Sequence, residues 1–218
     1  MIAVLDYGIG NLRSAEKALQ RVGGDARLVS RPGDALGAAG VVLPGVGAFG
    51  ACATALAESG LGAVARAAIS TGVPFLGVCV GFQLLFTSAE ESPGVPGLGI
   101  FPGVVRRLSD QVKLPQMQWN TLRRVPGTTA AMLAGLGEAP WFYFVHSYAP
   151  VPEGDAAGLV VAECDYGGAV VAALESGTCW GCQFHPEKSG ADGLALLANF
   201  VAMVDASGRR LESLEAAS

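Results

Sequence analysis

Apolar residues follow two rhythms along this chain, and the change between them falls near residue 90. Before it, short unbroken apolar runs alternate with segments whose apolar positions recur every three or four residues. Residues 2–5, 41–43 and 72–76 are runs of the kind that form strands buried on both faces, and residues 26–29 fit a further strand. Leu12, Ala15, Ala18, Leu19 and Val22 recur at helical spacing. Asn11 is placed as the N-cap of that helix and Gly23-Gly24 as its stop. A short helix is expected over 32–39, with Pro32 at its first turn. Two more are expected over about 52–58 and 62–70. Phe82, Leu84, Leu85 and Phe86 read as a further helix with an apolar face. Such alternation of strand and helix predicts a parallel sheet covered on both sides.

The second rhythm follows a turn-rich segment holding Pro93, Gly94, Pro96, Gly97, Gly99, Pro102 and Gly103. Short β-like runs come after it, at 104–108, 117–122, 141–145, 159–164, 170–174 and 178–184, with little helix between them. An amphipathic helix over 194–204 closes the pattern. The expectation is one α/β domain over residues 1–205, with a mostly parallel central sheet, flanking helices and an antiparallel, β-rich C-terminal half. Residues 206–218 are polar and small and read as a flexible tail.

Composition narrows the class. The chain has 218 residues, 51% hydrophobic and only 15% charged, enough to bury a real core. A net charge of −5 and the lack of a Lys/Arg-rich run argue against nucleic-acid binding. No apolar stretch approaches the roughly 20 residues that span a bilayer, and the start lacks the basic stretch of a signal peptide. The cysteines, Cys52, Cys79, Cys164, Cys179 and Cys182, are odd in number and scattered, which reads as reduced thiols in the cytoplasm. Cys179-Trp180-Gly181-Cys182 has the C-x-x-C spacing. It lies in an apolar strand-like run, however, where residues three apart face opposite ways, and no second pair completes a metal site. No cofactor or metal is expected.

The chemistry concentrates at Gly77-Val78-Cys79-Val80-Gly81-Phe82-Gln83. A cysteine with glycine two residues to either side, between a strand and a helix, is the thiol form of a nucleophile elbow. The glycines are needed because a Cβ at 77 or 81 would meet neighbouring backbone. A helix N-terminus at the sulfur would favour thiolate. A base is then required, and His146 and His185 are the two histidines. Pro186 holds His185 extended. Glu187 therefore points the same way as His185 and can fix its tautomer, leaving the other ring nitrogen for the thiol proton. A second glycine-rich stretch, Pro44-Gly45-Val46-Gly47-Ala48-Phe49-Gly50, follows a strand and lets backbone approach a ligand.

Together, the Cys79 elbow and His185-Pro186-Glu187 resemble the class I glutamine amidotransferase family. Residues 6–14, 44–49, 144–148 and 183–189 further resemble the glutaminase subunits of imidazole glycerol phosphate synthase. The resemblance implies L-glutamine as substrate, a γ-glutamyl thioester on Cys79, His185 as base then acid, and Glu187 as its orienting partner. It places Gly47, Gln83, Ser147 and Tyr148 at the substrate. Gly45, Val46 and the N–H of Val80 fall at the oxyanion. Asn11, Trp119, Asn120 and His146 fall near an ammonia exit or the interface with a partner, the (β/α)₈ cyclase subunit of a heterodimer in histidine biosynthesis. The sequence departs from that family at Gln116 and Gln118, where histidine and glycine are usual.

Overall fold

A computed structural model describes residues 1–214. Its elements are β1 (Ile2–Leu5), α1 (Leu12–Arg21), β2 (Ala26–Val29), β3 (Gly40–Gly45), α2 (Phe49–Glu58), α3 (Leu61–Ser70), β4 (Phe75–Cys79) and the single turn α4 (Val80–Gln83). There follow β5 (Phe86–Ala89), β6 (Phe101–Arg107), β7 (Gln116–Thr121), β8 (Arg123–Arg124), β9 (Trp141–His146), β10 (Tyr148–Pro152), β11 (Val160–Asp165), β12 (Ala169–Ser176), β13 (Cys179–Cys182) and α5 (Gly190–Ser207).

The central sheet has eight strands in the order β2-β1-β3-β4-β13-β12-β11-β8. Pairing is parallel from β2 through to β13 and antiparallel beyond it. This is the expected α/β architecture, with the β-rich half extending the sheet through β11, β12 and β13. Every residue of β1, β3 and β4 is buried, which explains their unbroken apolar runs. The C-terminal edges of β3 and β4 lie side by side, with Gly45 paired to Cys79. Two small sheets flank this edge, β10-β6-β5 and β7-β9.

Three expectations are corrected. The helix read through Phe86 ends after one turn, and Phe86 opens β5. The turn-rich segment is the cause: Leu98 N–H bonds the Leu84 carbonyl, while Ile100 and Phe101 bond that of Leu85, taking acceptors a longer helix would have used. The helix expected over 32–39 is a 3-10 turn at Pro32–Ala35. The last helix begins four residues early and runs to Ser207, and the chain beyond it is docked as far as Leu211. That side chain is fully buried, and its backbone bonds Gly37 and Ala38. A loose tail does not describe this segment; residues 215–218 of the expected tail lie outside the described residues. Strand β10 was not anticipated. Pro150 and Pro152 hid it, and it tolerates both because it is an edge strand pairing only with β6.

Among the described residues, no helix is long and apolar enough to cross a membrane.

Candidate active site

Cys79 stands where β4 turns into α4, with φ 55° and ψ −113°. Among the described residues it alone combines a side chain with positive φ. Such a conformation costs on the order of 1–3 kcal/mol and persists because the surroundings enforce it. The glycines do so by leaving room. A Cβ on Gly81 would lie 1.8 Å from the Leu43 carbonyl oxygen, and one on Gly77 would lie 3.0 Å from the Gly81 oxygen and the Phe82 Cα. Gly45 is also confined, since its Cβ would meet the Gly81 nitrogen at 2.7 Å. Strand β3 thus presses backbone against the elbow.

His185 follows β13 and is anchored on both sides. Its N–H donates to the Tyr143 carbonyl at 3.0 Å, and its carbonyl accepts from Ser189 Oγ at 2.6 Å. Ser189 Oγ in turn accepts from Tyr143 N–H at 2.9 Å, tying the loop to β9. Nδ1 of His185 meets Glu187 Oε1 at 2.9 Å, with both side chains almost fully buried. Nε2 has no hydrogen-bond partner and is left for chemistry. Burial alone would lower the imidazole pKa. Cys79 and Glu187 outweigh it and raise the pKa to about 10, favouring the protonated ring.

A cavity of about 260 Å³ opens over the sulfur. It is lined by Cys79, Val80, Val46, Gly47, Gln83, His146, Ser147, Tyr148 and His185, so most of the predicted residues converge here. Gly47 sits at φ 86° in an open turn. Gln83 is nearly buried; its Nε2 donates to the Tyr148 carbonyl at 2.9 Å and to Gln183 Oε1 at 3.0 Å. Gln183 Nε2 in turn lies 3.7 Å from Cys79 Sγ.

His146 is part of the pocket wall. Its Nδ1 lies 2.9 Å from the Tyr148 carbonyl. A carbonyl only accepts, so Nδ1 carries the proton. Burial lowers its pKa to about 4, leaving a neutral ring with a bare, buried Nε2.

The remaining predicted positions are outside the cavity. Asn11 precedes α1 without a side-chain capping bond. Trp119 is 47% exposed on β7, edge-on to Tyr143. Asn120 reaches the Asp165 carbonyl at 2.9 Å. Gln116 is fully buried, its amide 3.8 Å from Cys164 Sγ, so the departure there is absorbed in the packing.

The sequence reading missed Glu91, Pro115 and Val145 in the lining, and gave Gln183 no role. Glu91 Oε2 accepts from Phe49 N–H at 2.7 Å, joining the segment after β5 to the start of α2. Its only sequence signal was an acid just before the turn-rich segment. Cys179 and Cys182 are buried, unpaired residues of β13.

The model of the class-I glutamine amidotransferase family matches residues 3–204, and the chain belongs to that family. Within it, the chain is 43% identical over 208 residues to the imidazole glycerol phosphate synthase subunit HisH of Moorella thermoacetica. That match spans 95% of this chain and 97% of the relative. The HisH subunit of Methanothermobacter thermautotrophicus is 46% identical over 206 residues, spanning 94% of this chain and all of the relative. The fold is likewise that of a solved glutamine amidotransferase, with TM-score 0.73 at 21% identity, over 94% of this chain and 98% of that one.

Proposed function

We propose that this chain is the glutaminase subunit of an imidazole glycerol phosphate synthase, releasing ammonia from L-glutamine for a (β/α)₈ cyclase partner. The observation that carries the reading is the sulfur on a strained elbow, sharing one cavity with an imidazole oriented by a buried carboxylate. His185 holds the proton drawn from Cys79 as the sulfur anion attacks the γ-carboxamide carbon. The oxygen of the tetrahedral intermediate turns toward the N–H of Val80 and the Gly45-Val46 backbone. His185 returns the proton to the leaving nitrogen, and ammonia departs from a γ-glutamyl thioester. A water molecule deprotonated by His185 then releases glutamate and restores the thiol. Gly47, Gln83, Ser147 and Tyr148 hold the amino-acid end. The Glu91 carboxylate beside them suits the α-ammonium.

Strand β9 supports a route to the partner. Its inward residues Phe142, Phe144 and His146 are buried, the last at the cavity. Its outward residue Trp141 is 54% exposed, opposite Thr121 in the β7–β9 pairing, and on β7 Met117 is 61% and Trp119 47% exposed. An apolar face beside the ammonia source is the surface a cyclase would cover, and Asn120 lies on one of its strands, β7. Five unpaired thiols fit a cytoplasmic location.

Glutamate release should be slow for the chain alone and rise strongly when the barrel cyclase and its nucleotide ligand are added. Rapid hydrolysis by the isolated chain, unchanged by the cyclase, would contradict the proposal.

A further inference from the structure

The elbow lacks one device the sequence offered it. A long helix beginning at Cys79 would have placed a full dipole at the sulfur, but α4 is four residues long. Protonated His185 favours the sulfur anion from one side, and a site where Cys79 is 3% exposed has room for a second such group within the protein. A chain of amide groups behind the elbow has the right polarity.

That polarity is set by one carbonyl. The Tyr148 oxygen accepts from Gln83 at 2.9 Å, so the end of Gln83 facing it is the NH₂ group. The same NH₂ reaches Gln183 at 3.0 Å, so the facing atom of Gln183 is its oxygen. The other end of Gln183, 3.7 Å from Cys79 Sγ, must then be its NH₂ group. The alternative orientation of either amide would set two donors or two acceptors face to face. Gln183 is fully buried, and its backbone N–H is fixed to the Ala172 carbonyl at 2.9 Å, so the amide is held from both ends.

We infer that Gln183 is a further catalytic residue, whose amide donates a hydrogen bond to the Cys79 sulfur and stabilises the nucleophile as its anion. Gln83 acts through it as a positioning residue. Both of its N–H groups are committed inside the protein, and its oxygen, which makes no hydrogen bond among the described residues, is left for the substrate. The inference rests on the assignment of Cys79 as the nucleophile. Hydrogen bonds to charged groups are worth about 1.5–3 kcal/mol, so loss of this donor corresponds to at least about a tenfold change in the fraction of reactive sulfur at neutral pH.

The test is the rate of Cys79 alkylation by iodoacetamide in the full-length chain, followed by peptide mass spectrometry from pH 6 to pH 10. The unaltered chain is compared with Gln183→Leu and Gln183→Glu. Gln183→Leu removes the donor at nearly constant volume, and alkylation at pH 7 should fall about tenfold, the difference closing at high pH where the thiol ionises without help. Gln183→Glu keeps the acceptor for Gln83 but turns an anion toward the sulfur, and should fall at least as far. It decides the question if the leucine variant does not fold. Rates at pH 7 equal to the unaltered chain in a folded variant would overturn the inference. So would a deficit that persists at high pH, which marks lost access rather than lost anion. A Cys79 that stays unmodified in the unaltered chain would overturn it too. The readout does not involve glutamine, so a chain that alkylates as described yet fails to hydrolyse glutamine even with the cyclase and its nucleotide ligand present would remove the proposed function and leave this inference standing.

Discussion

His146 and His185 occupy the same cavity with opposite electrostatics, and the difference comes from their neighbours. Glu187 and Cys79 draw a proton onto His185 against the effect of burial, whereas His146 faces a neutral carbonyl and burial prevails. The consequences for stability fall in separate pH windows. The stabilisation linked to His185 is fully present below about 6.5, its unfolded value, and is lost as pH rises through about 10. At His146 the unfolded chain takes up a proton below about 6.5 while the folded chain does not until about 4, so stability falls with pH between those values. Denaturant titrations across that acid window should therefore show the unaltered chain losing up to about 3 kcal/mol more than His146→Phe. Parallel curves would show that His146 is not held neutral. The pairing of His185 with Glu187 was legible in the sequence because Pro186 and the His-x-Glu spacing determine local direction. Gln183 was not, since its significance depends on Gln83, one hundred positions earlier, and on the Tyr148 carbonyl. Nor was the place of His146 in the pocket wall, which follows from the pairing of β9 beside β7.

At the scale of elements, the elbow depends on close backbone contact between β3, β4 and α4. Gly81 is the tightest point, because the atom its Cβ would strike is a carbonyl oxygen of β3 and not a side chain that could turn aside. Gly81→Ala should cost about 3 kcal/mol or more in equilibrium unfolding. Gly137→Ala, at a position with open space around it, should stay within about 0.5 kcal/mol. Equal effects of the two would refute the packing argument. Strands β1, β3 and β4 could be read from sequence because burial on both faces leaves continuous apolar runs. Strands β5 and β10 could not. The burial of β5 is mixed along its length and it follows directly from the one-turn helix, while β10 contains two prolines that only its edge position permits.

For the whole molecule, the parallel half carries Cys79 and the antiparallel half brings His185 to it, so neither lines the cavity alone. Strand β13 joins them, pairing in parallel with β4 on one side and antiparallel with β12 on the other, and it ends three residues before His185. Gly181 within it allows the Phe82 ring to pack across the junction, since a Cβ there would lie 2.0 Å from the ring. This arrangement makes the claim about Cys79 testable on the assembled enzyme. The complex with the cyclase would be treated with a glutamine-like chloroketone and its peptides analysed by mass spectrometry. The account predicts one adduct, on Cys79, suppressed by excess glutamine and accompanied by loss of glutamate release. Complete inactivation with the adduct elsewhere, or a Cys79 adduct that leaves glutamine hydrolysis intact, would contradict it.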